Sequence, residues 1–291
     1  MRTSHKEMRR KINAEVSKIT DEELFSSAAF AAYLTDIAEA VTKRYKRRLR
    51  VETIYDTSEN AMIACTNNRN ILINTGNYIS QSMPYRKLKA ESILGLVGHE
   101  VGHMLFTNFR ISETYFSELS YGRLYPQMEL SEEEQESFTE VTDYFKAGTE
   151  AQKQAILKAA KLLLNILEDA YIEARICDRY TGRFATGIHL NNIRFTEMMP
   201  SVTEQLTNGC YRFSVFCNLL NQYCRSGDIN NRDGYTGELL DLFYDVLPLV
   251  DDAIYDEDMK RRCYAVNRIL LMVWAYIKEI AEKAEEKENT S

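Results

Sequence analysis

The chain has 291 residues, enough for one large domain or two modest ones. Apolar residues make up 45% of it, proline is scarce at 4 and glycine low at 12, so long helices cost little and an all-β fold is excluded. A net charge of −7 argues against nucleic acid as the partner, because phosphate binding needs a basic face.

The N-terminal residues 1–18 are polar and charged and hold no apolar leader core. Residues 5–18 read as a short helix. Thr20-Asp-Glu-Glu23 is a capping box that opens a second helix, predicted to run to about Arg48. The basic run from Lys43 to Arg50 (KRYKRRLR) closes that helix, where positive charge suits the C-terminal dipole. The period then changes. Arg50 to Tyr55, Ala61 to Cys65 and Asn70 to Thr75 are short, β-branched stretches separated by polar turns, and Thr66-Asn-Asn-Arg69 reads as a hairpin connection.

Met83-Pro84 ends this region, and residues 86–107 (RKLKAESILGLVGHEVGHMLFT) form an apolar, buried helix. Ser131-Glu-Glu-Glu134 starts an acidic helix, and Thr149-Glu-Ala-Gln152 a longer one to about Tyr180. Three further helical stretches follow, at roughly 203–225, 236–250 and 256–288, the last ending in the charged run EKAEEKEN. Cys210, Cys217 and Cys224 stand at heptad spacing and read as small apolar residues on one buried stripe. With no CxxC pair, a reducing, cytoplasmic setting is expected. No membrane span is expected, since the longest apolar run, Ile269 to Ile277, is bounded by Arg268 and Lys278.

One motif carries chemistry. His99-Glu100-Val101-Gly102-His103 is HExxH. On a helix, residues four apart share a face one turn apart, so both imidazoles can grip one ion, and Zn2+ is the ion expected. Glu100 lies beside that pair, in the position of a general base. Gly98 and Gly102 sit inside the same helix, where each costs about 1 kcal/mol against Ala, so another element should approach closely. Zinc needs a third protein ligand. A histidine six residues after the second is excluded, because Phe109 stands there. The helix Lys161 to Cys177 (KLLLNILEDAYIEARIC) is apolar almost all round, yet carries Glu168, Asp169 and Glu173, which are costly there without a cation.

On these residues the chain resembles the gluzincin-type zincin metallopeptidases. The order is a small sheet, a hairpin (Cys65 to Asn77), the HExxH helix and a later helix bearing an acidic ligand. The pairing of GHEVGHMLFT with NILEDAYIEARI also resembles the metallopeptidase-like region that precedes von Willebrand type A domains in cobaltochelatase T-subunit-like and phage or mobile-element proteins. The resemblance covers about residues 50–195.

It implies hydrolysis of a peptide or protein substrate, and a following von Willebrand type A domain or partner protein. An alternative is a zinc-binding interaction or assembly module without peptidase activity. Glu is the commoner ligand in such folds, so Glu168 is the first choice as third ligand. Asp169, braced by Glu173, is the second, and Glu173 itself the third. Tyr171 and His189 are candidate donors to an oxyanion. The stretch Asn70 to Thr75 is expected to pair with an extended substrate.

The fold expected is predominantly helical α+β. A small antiparallel sheet or hairpin packs on the HExxH helix, followed by a helical C-terminal part. Residues 1–195 are expected as the metallopeptidase-like domain with its N-terminal helices, and 196–291 as a helical subdomain packed on it, or the two as one continuous domain, since no internal boundary is forced.

Overall fold

Local signals written in the sequence start most of the elements. The computed structural model describes residues 4–45 and 48–290, the last four of these as backbone alone. Lys46 and Arg47 of the basic run therefore lie outside the described residues, as do the side chains that close the charged C-terminal run.

Helix α1 (His5–Val16) is followed by α2 (Asp21–Phe25), which begins at the Thr20–Glu23 capping box. The single helix expected from Thr20 to about Arg48 is broken in two. Ser27 leaves the helical conformation and its side chain accepts from the Phe30 N–H, which opens α3 (Ala28–Thr42). That helix stops where Lys43 turns left-handed, at φ 57°.

The three expected strands form, as β1 (Arg50–Ile54), β2 (Ala64–Thr66) and β3 (Asn70–Asn74), in the order β1-β3-β2. Thr66 and Asn67 shape the β2–β3 hairpin, their side-chain oxygens accepting the Asn68, Arg69 and Asn70 N–H groups. The sheet is mixed rather than antiparallel. β2 pairs antiparallel with β3, and the hairpin returns β3 in the direction of β1, with Val51 opposite Ile71 and Thr53 opposite Ile73.

Helices α4 (Tyr78–Gln81) and α5 (Arg86–Phe106) come next, then α6 (Phe109–Ser120) and α7 (Glu132–Ala147), the last opened by the Ser131–Glu134 capping box. The long helix α8 (Glu150–Arg179) starts at Thr149, whose hydroxyl accepts the Gln152 N–H. It is followed by α9 (Arg183–Met198), α10 (Val202–Thr207), α11 (Arg212–Ser226), α12 (Glu238–Tyr255), α13 (Met259–Met272) and α14 (Trp274–Thr290). Two of the expected C-terminal helices are therefore divided. One breaks around Gly209, at φ +75°, and the other at Val273.

One unit comprises residues 1–105 and 176–191, the other 106–175 and 192–291. The first holds the sheet, with Leu34 and Ala38 of α3 and Val51, Ile71 and Ile73 of the sheet all buried. Here α5 and α9 cross backbone to backbone. A Cβ on Gly95 would lie 2.3 Å from the Gly187 carbonyl carbon, and one on Gly98 would meet the Phe184 ring at 2.9 Å. The close approach expected at Gly98 is thus made by α9. Below the crossing, a buried chain of hydrogen bonds runs from Asn77 through Ser80 and Ser92 to Asn191.

The second unit is helical. Its core joins Tyr115 and Leu119 of α6 and Leu163, Leu164 and Leu167 of α8 with buried residues of α11 to α14. No helix of the described residues is long and apolar enough to cross a membrane.

Candidate metal centre

Helix α5 sets the histidines of the motif. Its buried residues surround nearly the whole circumference, and His99 and His103 are the partly exposed positions one turn apart. Their rings stand edge to face, with centroids 4.9 Å apart. Glu100, about 100° further round, is buried, with 5% of its surface exposed. On the β2 edge of the sheet, Cys65 feels this carboxylate. Burial raises the thiol pKa, and the negative charge of Glu100 raises it further.

Among the described residues, one group of side chains could share a metal ion. A ring nitrogen of His99, a ring nitrogen of His103 and a carboxylate oxygen of Asp169 all lie within 4.8 Å of one another, each residue being half-buried. Two imidazoles and a carboxylate are a donor set that zinc accepts, and it leaves a tetrahedral position for water. The chemistry of the donors therefore fits the ion that the motif implies.

Glu168, the first choice for the third ligand, is engaged elsewhere. Its Oε2 accepts from Arg262 Nε at 2.6 Å and its Oε1 from the Thr107 hydroxyl at 2.7 Å, and both Glu168 and Arg262 are buried. One helical step of about 100° separates it from Asp169, enough to turn it into the helical core. Arg262 also stacks on Tyr171, its guanidinium carbon 3.8 Å from the ring centre, with Arg175 at 5.3 Å. Tyr171 is thus an aromatic wedge between two guanidinium groups.

Glu173 is buried one turn beyond Asp169. Its Oε2 accepts from Asn192 Nδ2 at 2.7 Å, and Arg225 lies 3.4 Å from its Oε1. His189 is exposed on α9. The stretch from Asn70 lies at the centre of the sheet with a strand on each side, so the edge beside Glu100 is β2 and not β3. The heptad-spaced cysteines are free thiols, Cys217 buried and Cys210 exposed, and burial pushes Cys224 up to about 12.

Two residues of this region were not marked by the sequence reading, Arg225 and Arg262. Each had a signal. Arg262 interrupts an apolar face of α13, where a buried cation demands an anion. Arg225 stands in the last turn of α11, a cation that the acids of the preceding long helix could attract. Compared with known protein families, with curated proteins and with solved structures, the chain matches none.

Proposed function

We propose that the protein is a zinc-dependent peptidase in which His99, His103 and Asp169 hold the ion and Glu100 is the general base. The observation that carries this reading is the meeting of the two motif histidines with Asp169, their ligand atoms within 4.8 Å of one another. Asp169 here takes the place expected for Glu168.

A bound zinc ion would acidify a water molecule toward a pKa of about 7 and polarise the substrate carbonyl. Glu100, on the same helix as both histidines, takes the water proton on its carboxylate and delivers it to the leaving amine. The β2 edge beside Glu100 offers backbone groups to an extended peptide, a mode that reads main chain more than side chains.

The test is Glu100→Gln at equal zinc content. Gln keeps the size of the side chain but accepts no proton. Hydrolysis of casein and of a mixed peptide library should fall about 10²–10⁴-fold, the usual worth of a general base. Hydrolysis that persists in the variant would sink the assignment of Glu100. A zinc-bound wild type that cuts nothing would favour the binding-module alternative.

A further inference from the structure

We infer that Arg225 is a positioning residue that restricts Asp169 to a single metal contact and keeps Glu173 away from the ion. The inference rests on the metal reading above. Asp169 and Glu173 stand one turn apart on α8, so both carboxylates point along the same face. Arg225 spans them. Its Nη2 lies 3.3 Å from Asp169 Oδ2 and its Nη1 3.4 Å from Glu173 Oε1.

The guanidinium is itself held in place. Its Nε donates to Asn221 Oδ1 at 2.6 Å, its Nη1 to Asn192 Oδ1 at 3.1 Å, and its carbon lies 5.3 Å from the centre of the Phe195 ring. Asn192 in turn donates to Glu173 Oε2 at 2.7 Å. Both Glu173 oxygens are thus engaged by cationic or amide donors, and one oxygen of Asp169 is drawn to a fixed cation.

The consequence concerns coordination number. A carboxylate beside a dication binds through one oxygen or two, and a second carboxylate one turn away is a further ligand. A zinc site that hydrolyses must keep a position open. The fork of Arg225 is rigid and planar, so it can address two carboxylates at once, which a lysine ammonium cannot do with the same geometry. By holding Asp169 Oδ2 and Glu173 Oε1 together, it leaves the set at two imidazoles and one carboxylate oxygen.

Cobalt(II) tests this without relying on turnover, because its visible bands are strong in a four-coordinate tetrahedral site and weaken when a ligand is added. Wild type, Arg225→Ala, Arg225→Lys and the double variant Arg225→Ala/Glu173→Gln are loaded with cobalt and compared, with the fold checked by circular dichroism. The expected result is strong bands in wild type and a loss of intensity in Arg225→Ala with cobalt retained at least as tightly. Arg225→Lys should show a smaller loss, and the double variant should regain part of it.

Unchanged bands in both single variants would overturn the inference, and Arg225→Lys decides it if Arg225→Ala does not fold. Loss of cobalt from a folded Arg225→Ala would also overturn it, because Arg225 would then create the ligand rather than limit it. Wild type that binds no cobalt or zinc would remove the metal reading and this inference together.

Discussion

At positions 168 and 169 two acids stand side by side with opposite surroundings. Glu168 is 3% exposed and faces a fully buried arginine, whereas the Asp169 side chain keeps about a fifth of its surface, 21%. The first is a structural ion pair. Removing one partner of such a pair strands the other charge in a low-dielectric interior and costs about 3–5 kcal/mol. Glu168→Gln is therefore expected to lower thermal stability sharply while leaving zinc affinity close to wild type once folded. Asp169→Ala is expected to do the reverse, releasing zinc from a protein that still melts cooperatively. Thermal melts beside a chelator-competition titration separate the two. If Glu168→Gln instead loses zinc while Asp169→Ala retains it, the ligand assignment fails. Replacing Glu168 and Arg262 together by Met and Leu should recover much of the lost stability, since no charge is left unpaired.

At the scale of elements, whatever depended on short-range chemistry was readable. The capping boxes at Thr20 and Ser131, the Asn-rich hairpin and the HExxH helix are set by neighbours within a few residues. What sequence could not give was which side of α8 turns inward. Its three acids lie within six positions, and choosing among them requires knowing where Arg262 and Arg225 fall, 94 and 56 residues further on. Helix α9 was missed because Gly187 and the pair Asn191-Asn192 weaken its helical signal and its packing rests on two glycines far apart in sequence. Those glycines make a sharp prediction. Ala in place of Gly95 gains about 1 kcal/mol of helix propensity. Yet its Cβ would sit 2.3 Å from the Gly187 backbone, which no rotamer change relieves. Gly95→Ala should therefore destabilise by at least about 2 kcal/mol, within the range of overpacked cores. Gly182→Ser is the control, since a side chain there meets nothing within 4 Å and precedes a helix that a serine can cap. Equal melting temperatures for the two variants would refute the close crossing.

For the molecule as a whole, a bound ion is a linkage term. The chain carries a net charge of −7, and the cluster that could hold zinc gathers two imidazoles and a carboxylate that an unfolded chain scatters. A cation that binds the folded form alone stabilises it by mass action, by about 2.7 kcal/mol when free zinc is 100 times its dissociation constant. In a chain of this size each kcal/mol moves the melting temperature by roughly 2–4 °C, so zinc-loaded protein should melt several degrees above protein stripped by a chelator. The shift should grow with the logarithm of free zinc, which distinguishes site binding from a general salt effect. It should vanish in a His99→Ala/His103→Ala double variant, whose apo form should melt near the apo wild type because neither ring is fully buried. A zinc-dependent shift that survives the double substitution would place the ion elsewhere on this acidic surface, and no shift in wild type would leave the HExxH helix without its ion.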